Sequence, residues 1–538
     1  MNKKSHEIIR ILRDEYLDGQ LQTARDIAAC GPAVLTVLTR STRALCDHIP
    51  STDDTEISGF RSSSSSPISL SHFEIRIGLK TLFTLASESI NSIPFNLVPR
   101  HWLRLYTDTS LLLSLSDLIL SDGPEDGSSK FWLESVRRLD MAIIVAGGIG
   151  EKRSGWIQHV IKEIQRVGFN GHTSSSLSPS SSSSSHTASD SAERPAKRPR
   201  IEPPLSSRLL YAPNPIPVLD GPPSVTKYLA SHIDHPFIIR GYSSDAQFAF
   251  GSHWPALGRW RSAEYLLAQA GQGRVVPVEI GRAYDDSHWG QKIIPLERFL
   301  RRAGFKSDED EDLAEDEAGS NDNDDDDDAP LYLAQYGLFD QFPDLAKDIS
   351  YPDYVWSNPP VPPSIPSYEP PGTDDGVIVN VWIGSGGGEI VSPAHTDPYY
   401  NCYAQVLGQK RVWLAAPSSS PYMNAYGSTT TSAHDTSSVS EPDLAPDRAA
   451  AVEDEEDGLA EKYMTNTSKI PLLRPLSHDY DSFESMLKNG YPDFYEHVWP
   501  VSLEAVLQPG DLMVMPPGWW HAMKGEGEGP GWSVSMWY

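Results

Sequence analysis

Two histidines and an aspartate stand out in this chain of 538 residues: His395-Thr396-Asp397, and His521 at the end of Pro516-Pro517-Gly518-Trp519-Trp520-His521. Two imidazoles and one carboxylate can occupy one face of an octahedral Fe(II) and leave three positions open. In an extended strand alternate side chains share a face, so an HxD segment presents both of its ligands together while a distant strand delivers the second imidazole. An HxD pair alone recurs by chance in unrelated chains. The Pro509-Gly510-Asp511 turn that leads into the late histidine makes this pairing more specific. His434, His478 and His497 have no partner at ligand spacing and read as structural or solvated residues. Gly384-Ser385-Gly386-Gly387-Gly388-Glu389 lacks the lysine and following Ser/Thr of a phosphate loop and reads as a strand connection. Asn466-Thr467-Ser468 fits a glycosylation sequon, of no consequence in an intracellular chain.

The elements that must position these residues are short and β-rich. Val377 to Ile383 is a β-branched run before a glycine-rich stretch, and Tyr403 to Leu414 reads as two strands turning at Gly408-Gln409. Leu512 to Met515 and Trp532 to Trp537 add two more, with one ligand set after each of two strands. Many short strands separated by turn signals, from about Asn214 onward, predict a sandwich or barrel of the jelly-roll kind. Residues 1–168 differ in texture. Ile8, Leu12 and Tyr16, then Ile75, Leu79, Leu82, Phe83, Ala86 and Ile90, then Trp156, Ile157, Val160, Ile161 and Ile164 recur at helical spacing, so an all-helical module is expected there, a scaffold or docking unit without a catalytic cluster.

Between the two, residues 169–213 hold an almost pure serine tract, Ser174 to Ser185, which has too little apolar surface to offset backbone ordering. The tract leads to Arg194-Pro195-Ala196-Lys197-Arg198-Pro199-Arg200, a basic cluster suited to nuclear import. Two further tracts, near 307–329 and 427–461, lack apolar periodicity and are expected to be solvated insertions in the β-rich part. The net charge is −29, of which the run Asp308 to Asp328 contributes fourteen acids and Glu453 to Asp457 five. The remainder is only mildly acidic, so direct nucleic-acid binding is not expected. Three cysteines, Cys30, Cys46 and Cys402, without CxxC spacing exclude a disulfide framework and a thiolate zinc module, and make a reducing compartment the default. The start has no secretory pattern and no apolar stretch reaches the ~18 residues of a bilayer span, so a soluble protein of the nucleus, and of the cytoplasm too, is expected.

Ser392-Pro393-Ala394-His395-Thr396-Asp397-Pro398, followed by Asn401 and Gly408-Gln409-Lys410, resembles the JmjC family of Fe(II)- and 2-oxoglutarate-dependent oxygenases. Gln508-Pro509-Gly510-Asp511 through His521 and Ser533 to Trp537 resemble that family's closing strands. Tyr332-Leu333-Ala334-Gln335, Leu338-Phe339-Asp340-Gln341, Pro352-Asp353-Tyr354 and Val276-Pro277-Val278-Glu279 are similar to the pattern of its arginyl-hydroxylase members. The likeness covers roughly residues 214–538. It implies a mainly β, cupin-like double-stranded β-helix that holds Fe(II), uses 2-oxoglutarate as cosubstrate and consumes O2. It implies His395, Asp397 and His521 as the iron ligands, Lys410 on the distal carboxylate of 2-oxoglutarate, and Tyr332, Ser392 and Asn401 as supporting hydrogen-bond donors. Glu279 and Trp382 match positions that line the family's substrate pocket, where a carboxylate beside an aromatic wall suits a guanidinium. The expected partner is a protein substrate carrying an arginine, or a histone tail, and the acidic insertion adds affinity for a basic partner. A histone lysine demethylase would share every iron and cosubstrate residue, and a catalytically weak jelly-roll adaptor is the reading from outside enzymology.

Overall fold

The computed structural model describes residues 3–17, 22–49, 70–120, 129–169, 211–244, 253–283, 289–305, 329–387, 390–426, 465–474 and 482–538. The basic cluster, the serine tract, nearly all of the acidic run and the tract 427–461 lie outside the described residues, as do His434 and His478.

The helical spacing of the first third is realised in α1 (Lys3–Leu17), α2 (Gln22–Ala28), α3 (Pro32–Asp47), α4 (His72–Asn91), α5 (Arg100–Leu120), α6 (Lys130–Ile144) and α7 (Arg153–Gly168). Ile8, Leu12, Tyr16, Ile75, Leu79, Leu82, Ile157, Val160 and Ile164 share one buried core, as their periodicity requires. Ser71 caps α4 with a reciprocal capping box to Glu74. The core also encloses charge: Asp108 accepts hydrogen bonds from Arg104 (3.0 Å), Arg153 (3.0 Å) and the Tyr16 hydroxyl (2.8 Å), so α1, α5 and α7 are joined by a buried network whose members neutralise one another.

The remainder is built on β1 (Asn214–Pro215), β2 (Val218–Leu219), β3 (Phe237–Ile239), β4 (Val275–Ile280), β5 (Gly290–Pro295), β6 (Leu331–Tyr336), β7 (Ile378–Ser385), β8 (Val391–Thr396), β9 (Asn401–Leu407), β10 (Gln409–Ala415), β11 (Leu503–Leu507), β12 (Leu512–Met515), β13 (Trp520–Glu526) and β14 (Pro530–Trp537). They form a minor sheet in the order β1-β11-β10-β13-β8 and a major sheet in the order β2-β3-β12-β9-β14-β7-β6-β4-β5. Ile238, Tyr403 and Met513 of the major sheet meet Val412, Leu507 and Met523 of the minor one in a shared apolar interior. The outer face of the minor sheet is covered by the helices Phe483–Gly490 and Pro492–His497, with Trp413, Trp520, Phe483 and Phe494 at the contact. Tyr211 and Ala212 are already attached to this barrel, since both of their N–H groups donate to Glu504.

The strands expected at 377–383, 403–414, 512–515 and 532–537 are all present. The ligand positions differ slightly from expectation: His395 lies within β8 and His521 is the second residue of β13, rather than each following a strand. The periodicity is weak there because Pro393 sits inside β8. It is tolerated at a bulge, where two residues of β8, Pro393 and Ala394, oppose the single Ala522 of β13.

Candidate metal and cosubstrate site

The register of β8 against β13 sets His395 directly opposite His521, with ring centroids 4.2 Å apart. Asp397 lies just beyond the end of β8, and its backbone C=O accepts from Gly518 N–H at 2.8 Å, which ties it to the turn that precedes β13. His521 Nε2 stands 3.4 Å and His395 Nε2 3.8 Å from the Asp397 carboxylate, and one donor atom from each of the three lies within 4.8 Å of the others. Each histidine bonds through Nδ1 to the carbonyl two residues earlier, Pro393 at 2.8 Å and Trp519 at 3.1 Å. With the proton on Nδ1, the neutral form of each ring offers Nε2 as the metal donor. Burial and the nearby His521 charge push His395 down to about 4, so it is neutral and ligand-ready at neutral pH. Burial alone would raise Asp397, but His521, by charge and hydrogen bond, holds its carboxyl below the usual range. Burial pulls His521 down and Asp397 more than reverses it. Among the described residues this is the one cluster able to hold a metal ion, and its N2O donor set fits Fe(II).

The bulge in β8 has a second effect. Ser392 and His395 are three residues apart and would point to opposite faces of a regular strand, yet both line the same cavity because the extra residue resets the alternation. Tyr332 of β6, Asn401 and Tyr403 of β9, Trp382 of β7, Met523 of β13 and Ser535 of β14 complete that inner cavity. Gly384 carries no side chain for a plain reason: a Cβ there would stand 2.6 Å from the Tyr332 ring. Lys410 stands behind the Tyr332 hydroxyl, to which its Nζ donates at 3.0 Å, and is buried. Burial lowers its pKa to about 8. The Asn401 Oδ1 is buried and has no hydrogen-bond partner. Among the described residues no carboxylate pairs with the buried Lys410 ammonium, so it is costly alone and fits a small anion entering beside it, which is the chemistry of 2-oxoglutarate.

Outside the inner cavity a larger one, about 550 Å3, opens past the triad. Glu279, Arg282, Trp289, Gln335, Trp382, Asn466 and Trp537 are on its walls. Burial raises the Glu279 pKa, against the opposing hydrogen bond from Trp289. Trp382 is held by Nε1–H donating to Ser535 Oγ at 3.1 Å; it packs against the core between the sheets and forms part of both cavity walls. His497 ends a helix and stacks on Tyr422, away from both cavities.

Residues 229–538 match the family profile described as a cupin-like domain, more than half of the chain. The chain belongs to the cupin-like domain family. Its relatives include Jumonji C domain-containing protein 5 of Drosophila melanogaster, 32% identical over 286 residues that are 53% of this chain and 52% of that protein. Lysine-specific demethylase 8 of Xenopus tropicalis is 26% identical over 333 residues, 60% of this chain and 54% of that protein. Lysine-specific demethylase JMJ30 of Arabidopsis thaliana is 27% identical over 273 residues, 51% of this chain and 45% of that protein. The chain thus spans about half the length of the curated relatives it matches. The cupin-like barrel brings all nine residues singled out in the sequence to one mouth, eight on the cavity walls and Lys410 directly behind them.

Several cavity residues of the cupin-like domain escaped sequence reasoning. Tyr403, Ser535 and Trp537 fall on strands whose inward face is fixed only by pairing. Gln335 sits at φ +45, opposite Trp382 in a bulge of β6, a left-handed conformation that a non-glycine residue seldom adopts. Asn466 and Thr467, set aside as an irrelevant sequon, flank the HxD: Thr396 N–H donates to Asn466 O at 3.1 Å, Asn466 Nδ2 donates to Thr396 O at 3.0 Å, and Thr467 bridges His395.

Proposed function

We propose that the chain is an Fe(II)- and 2-oxoglutarate-dependent protein hydroxylase acting on arginine side chains. The observation that carries the reading is that one barrel mouth gathers the His395/Asp397/His521 triad, the buried Lys410 behind Tyr332, and Glu279 with Trp382 on the wall of the larger cavity. When bound, iron and 2-oxoglutarate supply the oxidising chemistry: O2 is reduced, 2-oxoglutarate loses CO2 to become succinate, and one oxygen atom enters a substrate C–H bond.

The chain's own residues bind, orient and exclude water. His395, Asp397 and His521 would hold the metal from one side and leave the other side to reactants. Lys410, with the Tyr332 hydroxyl, would take the distal carboxylate in a dry site where a charge-assisted bond is strong. Ser392 and Asn401 lie on the same inner wall and would complete its hydrogen bonds. Glu279 can accept two parallel bonds from a guanidinium, whose charge would stabilise the ionised carboxylate against the effect of burial, and Trp382 offers a flat face to the same cation. The acidic run, with fourteen acids between Asp308 and Asp328, supports a basic substrate protein, and the basic cluster at 194–200 supports a nuclear setting.

A second reading has an observation in its favour. Trp289, Trp382 and Trp537 border the outer cavity, and aromatic walls also suit a methylated ammonium, as in the lysine demethylation that two relatives' names state. Mass spectrometry of arginine peptides and methyl-lysine peptides after incubation with enzyme, Fe(II), ascorbate and 2-oxoglutarate separates the two. Oxygen added to arginine is expected; formaldehyde release from methyl-lysine with arginine untouched overturns the proposal. Glu279→Gln should lower arginine oxidation far more than succinate formed without peptide.

A further inference from the structure

The seam between β4 and β6 is only half a ladder. Glu279 pairs with Tyr332 and Ile280 with Leu331, and the pairing stops there, although Val275 and Tyr336 would face each other were it to continue. β6 turns away instead, its bulge at Ala334 and Gln335 carrying Tyr336 across to Val381 of β7. Residues 275, 277 and 279 direct their backbone groups to the same side of β4. The open half of the seam therefore presents the N–H and C=O of Val275 and, at Pro277, no N–H at all.

Side chains close this gap. Val275 N–H donates to Asp140 at 2.9 Å, Val275 C=O accepts from Gln341 Nε2 at 2.8 Å, and the Tyr336 hydroxyl donates to Gln341 Oε1 at 2.8 Å. Asp140 belongs to α6 of the helical unit. It also takes Arg274 Nε at 2.9 Å and Nη2 at 2.8 Å, while Arg274 reaches the Gln341 carbonyl at 2.9 Å and lies over the Phe342 ring. Asp140 and Gln341 are fully buried and Arg274 is 5% exposed.

We infer that Asp140 is a positioning residue for the substrate wall. The helical unit wedges one end of the β4–β6 seam, and so determines where Glu279 at the closed end and Gln335 in the bulge stand relative to the metal-bearing sheet. The functional half of this inference rests on the proposed reading of Glu279; the mechanical half does not. It also gives the helical unit a role within the site, where its sequence suggested a scaffold or docking unit.

The test uses the full chain with Asp140→Asn, which keeps shape but leaves Arg274 without its counterion, and Lys162→Ala, which removes an exposed ion pair to Asp344 at the same interface. Hydrogen–deuterium exchange at 275–283 and 331–341 should rise about tenfold in Asp140→Asn, with 391–396 and 520–526 unchanged. The KM for an arginine peptide that the wild-type chain oxidises should rise about tenfold, while succinate formed without peptide stays at the wild-type rate. Lys162→Ala should alter neither. Unchanged exchange at the seam, a uniform rise across all strands, or an equal loss of peptide-free succinate overturns the inference. If Asp140→Asn does not fold, Asp140→Asn with Arg274→Gln removes the stranded charge and is judged by the same exchange pattern. A wild-type chain that oxidises no arginine peptide defeats the proposed function, and the exchange arm then decides the mechanical half alone.

Discussion

Lys410 and Tyr332 come from opposite sheets, and the 3.0 Å bond from the Lys410 ammonium to the Tyr332 hydroxyl crosses the interior of the barrel at the floor of the inner cavity. Both are buried, and the pairing lacks a negative charge. Burial leaves the lysine's pKa at about 8 instead of the ordinary 10.5.

On the proposed reading, Lys410 should make 2-oxoglutarate binding sensitive to alkaline pH. The protonated form attracts the dianion, so the KM for 2-oxoglutarate should rise as pH passes about 8. Folding responds in the other direction: between about 8 and 10.5 the unfolded chain holds the extra proton, so this group makes the ligand-free fold more stable as pH rises through that window. Lys410→Ala should raise the KM on the order of 30-fold or more, the equivalent of about 2 kcal/mol, and remove the alkaline rise. Initial-rate titrations from pH 7 to 9.5 check this; a wild-type KM that is flat across that range refutes it.

His395→Ala and Asp397→Ala should abolish succinate production and weaken Mn(II) or Co(II) binding by at least about a hundredfold, with circular dichroism unchanged. Their side chains serve an open ligand position more than packing. Isothermal titration with the metal alone reads the effect without any turnover. Wild-type metal affinity in both variants would remove the site.

Gln335 occupies a left-handed backbone conformation in the wall of the larger cavity, where a Cβ is penalised. Gln335→Gly should raise stability by up to about 1 kcal/mol and Gln335→Ala should leave it near wild type. Both should lower arginine oxidation if the amide reads the substrate. Thermal unfolding and product analysis on the same preparations separate strain from contact.

Deleting residues 429–462 and closing the gap with a short Gly/Ser bridge should leave the Tm and succinate production close to wild type. Tyr426 N–H donates to Thr467 O at 2.9 Å and Ala425 bridges Ser468, so the described residues on either side of the tract stand together and a short connection suffices. The same edge carries Thr467 against His395, so a deletion that also takes Asn466 or Thr467 should cost activity. Paired deletions assayed for succinate would show whether the boundary lies where the hydrogen bonds put it.

The chemistry of the site was legible in the chain because it is written locally. His395 and Asp397 are neighbours in sequence, Lys410 follows a glycine turn, and helical spacing in the first 168 residues is a property of each segment alone. The order of strands was not legible, since pairing His395 with His521 joins positions over a hundred residues apart through backbone groups that every residue shares. Nor was the face that each cavity residue presents. Ser392 joins His395 only through the bulge at Pro393 and Ala394, and Gln335 turns toward Trp382 only because β6 breaks its ladder with β4. The link from Asp140 to Val275 has no local trace at all: a buried carboxylate finds these donors only when α6 and β4 meet, so that contact was decided by tertiary packing.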